Sequence, residues 1–423
     1  MPKTTETPQQ PTKHPIPDNR AQTHIQWLKE LTAIPTAAGH EYRVIAWITN
    51  WINERPDLNS KTDAHGNIEI RIDNNPKTDN PIYFTAHLDH PAFVVDEVLS
   101  KAEVTLEFRG GVMDDYFPNA KIRIHTPTDD QPNDYTLATI SEEIKPDPEA
   151  DPKPSNKRYH AILENPRPID RGSLATWDLP EQEIIVGEEG NQILYTNACD
   201  DLAAAAAALA AFDELRHAHS TNDTRILFTR AEEVGFIGAI GASRDYFMPK
   251  ASRIIALENS RAFDDSPIHA GPIVRVGDRI SIFSPDLTGA VAKVAEQISG
   301  GAATPKASQK ESDMPKWKWQ RKLMAGGACE ASVFCAYGYT ATCVCLPLGN
   351  YHNMANLTDA QAGNHEQAHG SPPRVGREHI GIDDYQGMID LLIACGTDLP
   401  KTPSFTQRIE KLWNEKSSIL TEP

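Results

Sequence analysis

What this chain lacks narrows its class before any motif is read. No apolar run approaches the ~20 residues a helix needs to span a bilayer, so a membrane protein is not expected. Lys and Arg number 41 against 59 Asp and Glu, for a formal charge of −18. Phosphate contact requires clustered cations that the sequence does not concentrate, so nucleic acid is not an expected partner. The six cysteines show no disulfide framework, and the first twenty residues, rich in Pro, Thr and Gln, lack the apolar core of a secretory signal. Both readings favour a reducing cytoplasm. Cys343 and Cys345 alternate within the strand-like residues 341–346. No second cysteine pair stands at zinc-finger spacing, so they read as buried thiols rather than thiolate ligands.

What is present is core material: 39% of 423 residues are hydrophobic, enough for two structural units rather than one. Ile25, Leu28 and Leu31 fall on one helical face, and Val44, Ile48 and Ile52 repeat that spacing. Ile68, Ile70 and Ile72 alternate with polar residues, and residues 82–86 form a short apolar run that ends at His87. Further strand-like runs at 226–228, 254–257 and 343–346 are separated by helical segments. Among these are 287–298 and the polyalanine stretch 201–217, whose helix propensity is high. The pattern is α/β. From about Asp96 to Leu194 the texture changes to short alternating runs broken by Gly and Pro, which reads as an inserted all-β unit. Within it residues 145–156, dense in Pro, Asp and Lys, read as a solvated loop. The expected organisation is a disordered arm (1–20), a main domain in two parts (21–95 and 195–400), the inserted β domain (96–194) and a helical tail (401–423).

Glu232 and Glu233 follow the strand-like residues 224–229 and precede glycines. Adjacent carboxylates there suit a hydrolase in which one binds metal and the other moves a proton; an exposed acidic turn is the plainer alternative. His87-Leu88-Asp89 puts two polar side chains at a spacing of two, the same side of an extended chain. The imidazole could bind metal while Asp89 accepts a hydrogen bond from its other nitrogen. Asp200, with Asp201, stands at a helix start, either as a bridge between two cations or as a simple cap. Glu258 closes an apolar strand, where an unpaired buried acid is costly and a metal would satisfy it. His352 lies in Leu346-Pro-Leu-Gly-Asn-Tyr-His-Asn-Met, a strand followed by a turn, where a structural role is the plainer alternative. All five ligand candidates thus sit where open α/β sheets gather their ligands. A set of two histidines with carboxylates suits zinc, with cobalt or manganese as substitutes.

The motifs Ala38-Gly-His-Glu-Tyr-Arg-Val44, Asp63-Ala-His-Gly-Asn67, Ala86-His-Leu-Asp-His90, Ala198-Cys-Asp-Asp201, Glu232-Glu-Val-Gly235 and Asn350-Tyr-His352 occur in one order. In that order they resemble the tetrahedral aminopeptidases, a di-zinc metallopeptidase family that includes glutamyl and deblocking aminopeptidases. The resemblance implies a mixed-sheet catalytic domain with an inserted barrel-like all-β domain. It also implies that His87, Asp200 and Glu258 hold one metal and Asp200, Glu233 and His352 the other, with Glu232 as general base and Asp89 orienting His87. Homo-oligomers from dimer to dodecamer are implied as well. The chain departs from the family at His90 and Glu258, where Glu and Asp are usual, at Cys329-Glu330 for a common Thr-Asp, and at Leu202 for Arg. The expected function is a cytoplasmic, two-metal aminopeptidase acting on peptides. An N-acyl amino acid deacylase or amidase of the same chemistry is the first alternative, and a noncatalytic shell or binding protein the second.

Overall fold

A computed structural model describes residues 16–125, 134–145, 156–188, 190–220, 222–303, 317–400 and 404–421. Most of the arm expected at 1–20, through residue 15, lies outside them, as does the loop expected at 145–156 for residues 146–155. Helix α1 (Asp18–Ala33) begins inside the stretch read as an arm: Pro17 sets the entry, and Leu28 and Leu31 are buried against the core. Helix α2 (Tyr42–Asn53) buries Val44, Ile48 and Ile52 on one face, the spacing a 3.6-residue repeat demands.

Strands β1 (Leu58–Thr62), β2 (Ile68–Ile72) and β3 (Ile82–His87) enter a mixed sheet. The chain then leaves it for a closed barrel of β4 (Ala92–Val98), β5 (Glu103–Arg109), β6 (Lys121–His125), β7 (Tyr135–Ile144), β8 (Lys157–Leu163) and β9 (Leu174–Trp177). The barrel is filled by Phe93, Phe108, Phe117, Tyr159 and Trp177, whose rings meet mostly edge-on or tilted. It opens at Ala92, four residues before the texture change at Asp96. The tail of the expected β unit, β10 (Glu183–Val186) and β11 (Gln192–Thr196), joins a separate three-stranded sheet rather than the barrel.

After α3 (Leu202–His217) the sheet resumes with β12 (Thr224–Thr229), α4 (Ile237–Arg244), β13 (Arg253–Arg261) and β14 (Ile273–Asp278). Then come α5 (Pro285–Ser299), β15 (Gln320–Met324), α6 (Glu330–Ala336) and β16 (Thr340–Leu348). The short helices α7 (Leu357–Gln361) and α8 (His365–His369), strand β17 (Glu378–Gly381), α9 (Ile382–Asp398) and the tail helix α10 (Ser404–Lys416) complete the order. The eight strands run β1-β2-β12-β3-β13-β16-β14-β15, and β12, β3, β13 and β16 are mutually parallel. β13 continues through Arg261, past the expected end at Leu257. Its polar residues find buried partners: the Asn259 amide donates to Asp201, and Ser260 accepts from Arg275.

Helix α3 packs between α1, α9 and the sheet, and its alanines at 203–208, 210 and 211 are fully buried. Methyl side chains let the helix approach the strands closely, and that approach fixes the level of Asp200 just before its first turn. Ala207→Leu should therefore overpack the layer and lower stability by about 1–3 kcal/mol, read as a lower urea midpoint at unchanged slope.

Candidate active site

The parallel strands β12, β3, β13 and β16 deliver their chemistry at one end of the sheet. His87 is the last residue of β3, Glu232 and Glu233 lie in the turn after β12, and Glu258 is within β13. His352 stands in a single 3-10 turn after β16, with φ +54°, a left-handed value uncommon outside glycine and held only where the surroundings over-determine it. All seven residues singled out in the sequence, His87, Asp89, Asp200, Glu232, Glu233, Glu258 and His352, meet in this one cluster.

Asp200 is its centre. One carboxylate oxygen lies 3.4 Å from His87 Nε2 and the other 3.4 Å from His352 Nε2. Glu233 Oε1 is also 3.4 Å from His352 Nε2, while Glu258 Oε1 and Glu232 Oε2 lie 3.9 and 4.0 Å from His87 Nε2. The helix-cap reading of Asp200 gives way, because Asp201 occupies the N-cap of α3. Asp201 turns to backbone and amide instead, accepting from the His87 N–H and the Asn259 side chain at 3.3 Å each.

A web of hydrogen bonds fixes the cluster. Both carboxylate oxygens of Asp89 accept backbone N–H bonds, from Glu232 and from Glu233, each at 3.0 Å. The sequence assigned that carboxylate to the His87 ring; the closer contact of His87 Nδ1 is the Asp89 carbonyl at 3.1 Å, with the carboxylate at 3.5 Å. Glu41 clamps the start of the same turn, accepting from the Arg230 guanidinium and the Ala231 N–H. His90 spans the Asp200 carbonyl, at 2.5 Å, and Asn353 Oδ1, at 3.0 Å. His352 Nδ1 faces the Gly111 carbonyl of the barrel at 2.7 Å, which leaves Nε2 turned to Asp200 and Glu233.

Glu378 was not legible in the sequence, yet it ties the two halves of the cluster together. One oxygen accepts the N–H groups of Cys199 and Asp200 at 2.6 and 3.0 Å, and the other accepts the His352 N–H at 2.8 Å. It is fully buried, and burial pushes its carboxyl up to about 8, with the nearby Asp200 charge adding to the effect. Glu330, also buried, accepts from the Thr229 hydroxyl at 2.9 Å, and burial pushes it up to about 7.

The electrostatics describe a concentration of buried negative charge. Burial, reinforced by neighbouring carboxylates, raises Glu232, Glu233, Asp201 and Glu258 above the ordinary range. Burial opposes charge on His87, but Glu232, Asp200, Asp89 and Glu258 overcome it and raise the imidazole well above its usual value. Asp200 is held low against burial by the imidazoles of His352 and His87 that face it. One imidazolium cannot balance so many carboxylates, and uncompensated buried charge is expensive. Two oxygens, Asp200 Oδ1 and Glu233 Oε1, are buried with no hydrogen-bond partner among the described residues. His87, Asp200, Asp201 and Glu258 each offer a ligand atom within 4.8 Å of the others, and so do Asp200, Glu233 and His352. Such mixed nitrogen and oxygen sets, with orphaned oxygens at their centre, fit divalent cations.

The fold and this cluster define a class: a mixed α/β domain carrying a closed six-stranded barrel and a buried His/Asp/Glu site. The same architecture occurs in the TET1 peptidase of Pyrococcus horikoshii, described as assembling into a tetrahedron or a large octahedral shell (TM-score 0.66, 19% identity, 89% of this chain and 100% of that one). It occurs in an aminopeptidase of Desulfurococcus kamchatkensis (0.66, 18%, 92% and 98%) and in a TET aminopeptidase of a marine-sediment thaumarchaeote (0.66, 17%, 90% and 98%). At these identities the likeness shows the fold. No curated protein matches the sequence. The family model of M42 glutamyl aminopeptidases matches residues 169–365, the stretch that carries Asp200, Glu232, Glu233, Glu258 and His352. That match covers just under half of the chain, and over that stretch the sequence is similar to the M42 glutamyl aminopeptidases.

Proposed function

We propose that this protein is a two-metal aminopeptidase that removes N-terminal residues from peptides, with Glu232 as general base. The observation that carries the reading is Asp200, whose two oxygens face His87 and His352 equally while Glu232 stands beside them without belonging to the Asp200–Glu233–His352 group. His87, Asp200 and Glu258 would hold one ion and Asp200, Glu233 and His352 the other; the donor set favours zinc, with cobalt or manganese as substitutes. Such ions, when bound, lower the pKa of water and polarise a carbonyl.

The chain's own residues do the rest. Glu232, buried but within reach of the cluster, accepts the proton of the attacking water and passes it to the leaving amine. Asp89 keeps Glu232 and Glu233 in register by holding both of their backbone N–H groups. His352 is aimed by the barrel carbonyl of Gly111, so the inserted domain takes part in the site. Glu378 fixes Asp200 and His352 from behind. Glu378→Gln, which turns an NH2 group toward backbone donors, should weaken metal retention by roughly 10–100-fold, measured by chelator competition.

A homo-oligomeric, cytoplasmic protein belongs to the same reading. It is supported by neighbours described as a dodecamer or a tetrahedron and by six free cysteines. Among the described residues no helix is long and apolar enough to cross a membrane. The reaction is tested by incubating a free decapeptide with the protein and following the products by mass. Stepwise shortening from the N-terminus should appear, stop on chelation and return with zinc, cobalt or manganese. Metal-independent turnover, or none with any of the three ions, overturns the proposal; cleavage confined to N-acyl amino acids makes the protein a deacylase.

A further inference from the structure

Away from the catalytic cluster, a cavity of about 670 Å³ lies between α5, the strands β14 and β15, and the tail helix α10. Its floor is apolar, with Val276, Phe283 and Ala292. Among the described residues its lining is cationic: Lys293, Arg321, Arg408 and Lys411 against the single acid Glu296. In a chain of net charge −18 this is the reverse of the general surface. The two lysines have only loose partners on their own helices, Glu296 and Glu415, each at 3.7 Å. The guanidinium groups of Arg321 and Arg408 hold no hydrogen bond or ion pair among the described residues.

A second observation comes from α10. Ile409, Leu412 and Trp413, spaced to share one helical face, are 58%, 47% and 60% exposed. Within the cavity lining Ile282 is 70% exposed. Among the described residues the lining therefore offers exposed apolar surface beside its cations, which marks an interaction surface rather than a packed seam. One wall belongs to β15, the edge strand of the eight-stranded sheet, and edge strands accept extended chains through their main-chain groups. Along α5, residues 285 to 296 span about 17 Å at 1.5 Å per residue, which matches an extended segment of roughly five residues.

We propose that this groove docks a short, extended, acidic segment of a partner protein, with carboxylates on Arg321 and Arg408 and aliphatic or aromatic side chains on the apolar floor and against Ile282. A partner of this chemistry uses the unpaired cations and the apolar floor together. A nucleic acid would engage the cations and leave the floor uncovered, and the chain's overall charge would oppose it.

The test uses the full chain and a fluorescently labelled hexapeptide alternating Glu with Leu, followed by anisotropy. Saturable binding is expected, weakening at least about tenfold between 50 and 500 mM salt, since such contacts are partly exposed and screened. The R321E/R408E variant should lose at least about tenfold in affinity while keeping its peptide turnover and metal content. Lys293→Glu, on the surface of α5, should weaken binding in the same direction and serves where the double variant fails to fold. The proposal is overturned by absent binding, by equal binding of the peptide with Lys in place of Glu, or by a double variant that binds like the parent. Displacement by a single-stranded oligonucleotide also overturns it. So does a variant whose lost binding comes with a change of oligomeric state, which would make the groove a contact between copies of this chain. Because binding is read directly, these outcomes are independent of whether the peptidase reading stands.

Discussion

Glu232→Gln is expected to lower kcat by at least about a hundredfold, in the range of general-base contributions, while leaving metal content nearly intact. Both glutamates fall in one candidate group with His87, and the proposed division of roles rests on Glu233 alone also joining Asp200 and His352. Glu233 Oε1 lies 3.4 Å from His352 Nε2, within the group that includes Asp200, and it is an orphaned buried oxygen. Glu232 Oε2 lies 4.0 Å from His87 and has no contact with His352 among the described residues. Glutamine keeps the shape of Glu232 and the backbone bond to Asp89 but cannot take a proton. Glu233→Gln should instead release metal. Both variants are measured by elemental analysis after dialysis and by turnover at saturating peptide. Equal metal loss in the two would contradict the division of roles.

The second large effect is expected at Asp200. Asp200→Asn removes the one side chain that faces both histidines, so both halves of the cluster should lose affinity together. The loss should exceed the roughly 10–100-fold typical of outer partners, with turnover abolished at metal concentrations that saturate the parent. Titration with cobalt, followed by its visible absorption, reads the two halves separately. If one half filled normally in the variant, Asp200 would not be shared. A loss of fold is distinguishable by circular dichroism: the asparagine keeps its place before α3, because the N-cap of that helix is Asp201.

Much of this site was legible in the sequence, for a physical reason. Strands of a parallel sheet read as apolar runs, and polar residues immediately after such runs must either reach solvent or meet a ligand. His87, Glu232, Glu233 and His352 follow that pattern, and Asp200 stands at the mouth of a helix whose alanine run is plain. Where the reading stopped short, a polar residue had found a buried partner elsewhere in the chain. The apolar run read as β13 stops at Leu257, with Glu258 closing it. The strand itself runs on to Arg261 because Asn259 and Ser260 are hydrogen-bonded to residues that only folding brings near.

Glu378 shows the same limit more sharply. Its partners, Cys199 and Asp200, are 179 and 178 positions away, and a carboxylate that accepts backbone N–H groups leaves no periodicity or spacing to detect. Asp89 was found by its spacing, and both its carbonyl, at 3.1 Å, and its carboxylate, at 3.5 Å, lie against His87 Nδ1; a spacing of two predicts that shared side but not the N–H groups of Glu232 and Glu233 that the carboxylate also accepts.

The sequence by itself determined the fold class, the inserted β unit and the kinds of side chain that gather at the strand ends, because burial periodicity and composition are local properties. Only the tertiary structure decided which carboxylate lies between the histidines, what holds the glutamate pair in register, and that an unbalanced cationic groove faces outward in an acidic chain. Those depend on distances between residues far apart in sequence, and hydrogen bonds and Coulomb interactions are fixed by such distances rather than by order along the chain.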